Sequence, residues 1–187
     1  MLATVKSCAV VGLEGVIVDV EVDTSNRLPR TIIVGLPDAA VQESKERVYS
    51  AMKNSGLTFP RGQITVNLAP AAVRKSGPVF DLPIALGIIA AGGQLAPETL
   101  DDTLVIGELS LDGALRHVPG VLAMTALARE VGLSRIIVPR MDAPEAMLIP
   151  GIEVSGEETL SALLGHRSGR TPTRPRHGQC SRGLEPH

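Results

Sequence analysis

The chain has 187 residues, enough for one α/β-sized domain with a proper core plus a tail. Aromatic residues make up 2% and Trp is absent, so the core is aliphatic and a base-stacking platform for single-stranded nucleic acid is disfavoured. The formal net charge of −2 is unevenly spread: His166 to His187 holds five of the 18 basic residues and one of the 20 acidic ones, leaving 13 basic against 19 acidic upstream. An acidic domain of this kind is a poor non-specific DNA binder. Cys8 and Cys180 show no metal-ligand spacing. There is no signal segment, and the most apolar run, Leu82 to Ala91, is shorter than the roughly 20 residues that span a bilayer. The chain reads as cytoplasmic, with no membrane contact.

Val5 to Val11 and Val16 to Val22 are β-branched runs flanking Gly12-Leu-Glu-Gly15, which predicts an antiparallel hairpin with Asp19 and Glu21 facing solvent. Asn26 to Pro29 is a turn, and Thr31 to Val34 is a third strand closed by Gly35. Leu36-Pro-Asp38 starts a helix from about Ala39 to Asn54, with Val41, Val48 and Met52 on one stripe and Gly56 after its end. The charged run Glu43 to Arg47 reads as its solvated face, with Glu43 and Arg47 as an i, i+4 pair.

The stretch Asn67 to Leu86 is the densest in signal. Ile64 to Leu68 is a buried strand, and Pro70 to Pro78 is a loop carrying Arg74, Lys75 and the turn Ser76-Gly-Pro78. Asp81 is placed to cap a helix from Leu82 to Ala91, with Pro83 in its first turn. Thr103 to Ile106 is a strand leading into Gly107 to Gly113, where Asp112-Gly113 signals a second hairpin. A helix then runs to Val131, with Leu122, Ala126 and Leu127 inward. Arg135 to Val138 and Ile152 to Val154 read as strands, and Thr159 to Leu164 as a last helical turn or two. Early hairpins followed by alternating strands and helices predict an α+β fold, a mixed sheet packed against helices. No Gly-rich dinucleotide turn is present.

Four lysines occur, Lys6, Lys45, Lys53 and Lys75, and none follows Gly, so no P-loop lies in these residues. Arg74, Lys75, Ser76 and Glu108 are the candidate contacts for a partner or a phosphate, with Glu108 placed to pair with the Arg74–Lys75 loop. Asp81, Pro83, Gly107 and Gly113 are assigned structural roles. His117 reads as a surface histidine. No residues are assigned to catalysis, to a cofactor or to a metal.

Val34-Gly-Leu-Pro-Asp38, Ile64-Thr-Val-Asn-Leu-Ala-Pro70, Phe80-Asp-Leu-Pro-Ile-Ala85 and Gly107-Glu-Leu-Ser-Leu-Asp-Gly-Ala-Leu-Arg116 together resemble the N-terminal domain of the YifB/ComM family of Mg-chelatase-like AAA+ ATPases. The resemblance covers residues 1–165 and leaves 166–187 as a basic tail or truncated linker, in which Gly178-Gln179 and Arg182-Gly-Leu-Glu185 echo the start of the AAA+ module. It implies a fold similar to the proteolytic domain of Lon and to the second domain of ribosomal protein S five. It also implies a downstream module binding ATP and Mg²⁺, a homo-hexamer whose neighbouring subunits and AAA+ module are partners, and DNA processing in natural transformation.

The Lon resemblance places a Ser nucleophile at Val79 and a Lys base at Leu122. Neither aliphatic side chain can attack a carbonyl or carry a proton. The expectation is a non-catalytic accessory domain for assembly or for partner or nucleic-acid contact. The alternatives are a divergent Ser peptidase using Ser76 and a free-standing protein-binding adaptor.

Overall fold

The computed structural model describes residues 1–167. Strands β1 (Leu2–Val11) and β2 (Glu14–Ser25) pair antiparallel from Leu2↔Asp23 to Val11↔Glu14, so the turn is only Gly12-Leu13. Next come β3 (Arg30–Val34), helices α1 (Ala39–Gln42) and α2 (Ser44–Asn54), and β4 (Gln63–Ala69). A 3-10 turn over Pro78–Phe80 leads directly into α3 (Asp81–Ala91). The chain continues through β5 (Thr103–Val105), the small hairpin β6 (Glu108–Leu109) and β7 (Leu115–Arg116), and α4 (Val121–Glu130). It ends in β8 (Arg135–Pro139), α5 (Ala143–Ala146), β9 (Glu153–Glu157) and α6 (Leu160–Arg167). Of the tail expected over 166–187, His166 and Arg167 close α6, and the rest lies outside the described residues.

Among the described residues, one seven-stranded sheet runs in the order β3-β4-β2-β1-β5-β8-β9, beside the separate β6-β7 pair. It is mixed: β1, β2 and β4 are antiparallel to their neighbours in that group, whereas β3–β4, β1–β5, β5–β8 and β8–β9 are parallel. On β2, Val18, Val20 and Val22 are buried toward α3, and a Cβ on Gly87 of α3 would stand 2.5 Å from Val22 Cγ2. Gly15 has the opposite parity and faces α4, where a Cβ would stand 2.8 Å from Leu127 Cδ2. Helices therefore cover both faces of the sheet, with α4 reaching only the hairpin end of β2. Beyond it the second face is open, and Lys6 and Asp19 meet there at 3.0 Å. The three residues of β5 and Ile136 to Pro139 of β8 are all buried, which is why these strands read as continuous apolar runs rather than alternating ones.

Three expectations need correcting. The helix from Ala39 to Asn54 is broken after Gln42, where the Ala40 carbonyl accepts from Arg47 Nη2 at 2.8 Å. A continuous helix would offer that carbonyl to the Ser44 N–H. The inward stripe of α4 is Val121, Met124, Thr125 and Ala128, and Leu122 is exposed. Of the expected inward residues, Ala126 and Leu127 are half-buried and Leu127 packs against the core, so only Leu122 is turned out. Asp81 does not cap α3. It is the helix's first residue, its carboxylate is fully buried, and it turns sideways toward α2 and β6.

There the carboxylate accepts four hydrogen bonds from three residues: Ser44 Oγ at 2.5 Å, Arg47 Nε at 2.7 Å, Arg47 Nη2 at 3.1 Å and the Leu109 N–H at 3.1 Å. Part of the presumed solvated face of α2 thus points inward, with Ser44 fully buried. Burial pushes the Asp81 carboxyl above its ordinary value, while Arg47, Ser44 and the Leu109 N–H act against that shift. The hydrogen bond to Asp81 pushes the Arg47 guanidinium up. Breaking such a pair by removing one partner leaves an uncompensated buried charge. Asp81→Asn and Arg47→Met should each lower stability by roughly 3–5 kcal/mol, and the double variant by well under their sum. Urea unfolding of the four proteins measures this, and additive losses would show that the pair is not coupled.

Candidate functional site

The loop from Pro70 to Pro78 is stitched onto the segment after β3. Lys75 N–H donates to the Leu36 carbonyl at 3.0 Å, and Asp38 N–H donates to the Lys75 carbonyl at 2.9 Å. The Asp38 carboxylate then serves two elements, capping α1 through the Val41 N–H at 2.8 Å and holding the Gly77 N–H at 3.2 Å. Leu36 adopts φ 55°, a left-handed conformation that a Leu reaches only when its surroundings impose it. The motif Val34-Gly-Leu-Pro-Asp38 is therefore a docking strip for the loop.

This stitching separates the two cations that the sequence placed together. Arg74 is exposed, and so is Ser76. Lys75 is fully buried, and its ammonium group donates to the Pro70 carbonyl. Burial pushes its pKa down. As a contact for phosphate or a partner, Lys75 is corrected to an internal brace, because its charge is already committed inside the loop. Glu108 forms no ion pair with this loop.

Glu108 and Ser76 nevertheless line one cleft, of about 200 Å³. Its walls are the end of β1, the Ser76–Val79 segment, and His117 to Pro119 with Met124 of α4. Val79, at the position of the Lon-type nucleophile, lines it, whereas Leu122, at the position of the base, sits on the exposed side of α4. Gly107 brings β6 against α3, where a Cβ would stand 3.2 Å from Leu82 Cβ. Gly113, at φ 91°, lies against the end of α2, where a Cβ would stand 2.4 Å from Ser55 Oγ. Pro83 lies in the buried first turn of α3.

Two cleft groups escaped the sequence reading. His117 Nδ1 meets Asp142 Oδ1 at 2.5 Å, and Asp142 Oδ2 accepts the Val118 N–H at 2.9 Å. Asp142 is almost wholly buried while His117 is exposed. The two lie 25 residues apart, and nothing local in the sequence joins them. Cys8 lies in the cleft wall with a buried thiol, and burial pushes its pKa up to about 11. It is not poised as a nucleophile.

The geometry defines a domain class: a mixed α/β sheet in which a cleft sits between a strand end, a Ser-Gly-Pro turn and a hairpin, with Val79 in its wall. The sequence profile described as subunit ChlI of Mg-chelatase matches residues 20–142. The chain belongs to the YifB/ComM-type Mg-chelatase-like family and corresponds to its N-terminal domain. It is 43% identical over 169 residues to YifB of Escherichia coli, which covers 90% of this chain and 33% of that protein. It is 39% identical over 169 residues to competence protein ComM of Haemophilus influenzae, again covering 90% and 33%. A more distant likeness, 27% over 133 residues, connects 70% of the chain with 23% of Lon protease 2 of Bacillus subtilis. The chain thus spans about a third of the length of the curated family members it matches. No helix among the described residues is long and apolar enough to cross a membrane.

Two outcomes test this account of the site. Arg74→Glu should leave stability within about 0.5 kcal/mol of the parent, as surface substitutions do. Lys75→Glu puts an acid against a carbonyl in a buried position and should cost several kcal/mol, on the order of a buried unpaired charge. Equal thermal shifts would refute the assignment of Lys75 as a brace. At pH 8, Cys8 should alkylate about a hundredfold more slowly than a thiol at 9.0, since its pKa stands at about 11. Peptide mapping of iodoacetamide-treated native protein, with the urea-unfolded chain as reference, reads the rate.

Proposed function

We propose that this domain is a non-catalytic accessory unit of a YifB/ComM-type AAA+ ATPase, serving assembly or partner contact, on a fold similar to the proteolytic domain of Lon. The observation that carries the reading is the pair of dyad positions. Val79 faces the cleft and Leu122 points out of it, so neither nucleophile nor base is supplied where a Ser–Lys mechanism needs them. Lys75, the nearest amine in sequence, is held by the Pro70 carbonyl. ATP and Mg²⁺ belong, on this reading, to a downstream module, the partners are that module and neighbouring subunits of a homo-hexamer, and any DNA contact is made by the whole assembly in the cytoplasm.

A second reading rests on one specific observation. Ser76 and His117 line the same cleft, and the contact of His117 Nδ1 with Asp142 leaves Nε2 free to act as a base. That is the outline of a Ser–His–Asp hydrolase.

One set of assays separates the two. The purified chain should hydrolyse neither ATP nor casein, and it should restore hexamers, measured by light scattering, when it replaces the corresponding third of YifB. ATP turnover abolished by a point change in this chain would overturn the accessory reading. Casein cleavage lost in both Ser76→Ala and His117→Ala would establish the hydrolase instead.

A further inference from the structure

The end of β1 is an unpaired strand edge that opens onto the cleft. β1 pairs with β2 to its last residue, but with β5 through the single bridge Lys6↔Leu104. β5 stops at Val105, and the next residue turns toward β8, with Ile106 N–H donating to the Ile137 carbonyl at 3.1 Å. β1 runs on to Val11 with no strand paired on that side among the described residues, where the cleft opens. The two-residue turn closes on Val11↔Glu14, so Val11 and Ala9 direct their backbone groups at β2. Val10, between them, points its N–H and C=O the other way, and no strand among the described residues takes them. Val10 is 48% exposed and also lines the cleft.

We propose that this edge binds an extended peptide by strand addition, with one aliphatic side chain of the peptide in the cleft and a basic residue beside Glu108. Main-chain pairing supplies affinity in this mode of recognition, and a pocket at alternate side chains supplies specificity. The cleft, at about 200 Å³, is smaller than the roughly 300 Å³ at which small-molecule sites begin, which suits one side chain rather than a whole ligand. Its apolar lining by Val10, Val79, Val118 and Met124 selects an aliphatic one. Glu108 brings a carboxylate to the cleft, with Arg116 opposite it on β7 and Arg47 near enough to feel its charge, and the sequence up to Gly165 carries more acid than base. Both favour a cationic neighbour on the peptide. The inference goes beyond the accessory reading and does not depend on it, because it concerns what the edge holds and not what the chain is joined to.

The test uses the whole chain, ¹⁵N-labelled, and the blocked hexapeptide acetyl-Thr-Lys-Val-Leu-Val-Thr-amide. Binding should shift the amides of Val10, Gly77 and Val118, and should slow hydrogen exchange at Val10 at least tenfold. N-methylating alternate peptide amides should abolish binding in one parity and spare it in the other, since only one parity faces β1. Glu108→Gln should weaken the peptide by roughly twofold to fivefold, as suits a half-exposed ion pair, and should not affect a version with norleucine for lysine. No shift up to millimolar peptide would overturn the proposal. So would equal loss from both methylation patterns, or shifts at these amides with oligothymidine and none with peptide. Hexamer restoration is read separately, so either idea can fail alone.

Discussion

The buried carboxylate of Asp81 is the constraint on which the rest of this domain depends. A charge with no solvent exposure is tolerated only where donors converge on it, and here they come from two separate elements. Ser44 and Arg47 fix α2 against α3, and the Leu109 N–H fixes β6 against both. Glu108, one residue before Leu109, is thereby aimed at the cleft, and Val79, two residues before Asp81, is held in its wall. A hydrophobic contact at the same place would tolerate sliding. A carboxylate with directional partners does not, so one ion pair sets the distance between two walls of the site.

The cleft itself follows from a short strand. β5 could in principle extend alongside β1, but Gly107 N–H donates to the Val79 carbonyl at 3.1 Å and Leu82 N–H donates to the Gly107 carbonyl at 3.0 Å. These two bonds draw the chain away from β1 and toward the start of α3. A Cβ at Gly107 would press on Leu82 at 3.2 Å, so glycine suits this close approach. The space that β5 would have filled is the cleft, and the backbone groups it would have satisfied are those of Val10. Strand edge and pocket have a common cause.

Much of this was legible in the residues, and the reasons differ by element. The β1–β2 hairpin and the Asp112-Gly113 turn follow from local chemistry, the alternation of apolar residues and the need for φ > 0, and both stand in the structure. What was not legible is contact across the chain. Asp81 finds Ser44 and Arg47 at separations of 37 and 34 residues, so helix capping was the only role its neighbours could suggest. The charged run on α2 gave no sign that Arg47 would turn inward, because the same i, i+4 spacing serves a solvated face. Lys75 sits in a polar loop where lysine is normally wet, and its burial depends on the docking of that loop onto Leu36 and Asp38. The exposure of Leu122 depends on how α4 packs over the hairpin end of the sheet, which no periodicity encodes.

An aliphatic wall such as Val79 bears differently on chemistry and on binding. Proton transfer and nucleophilic attack need specific atoms, and Val79 has none of them. Holding an extended chain needs backbone groups and a shaped apolar wall, which a valine improves. Binding energy that a protease would direct to a transition state is available in such a site for the ground state alone. The exposed side chains at its rim, Ser76 and His117, stand where a bound strand would pass, so their hydroxyl and imidazole can serve as hydrogen-bonding partners to a peptide without any reaction taking place. The strand edge is held in place by the Asp81 clamp and the Gly107 turn.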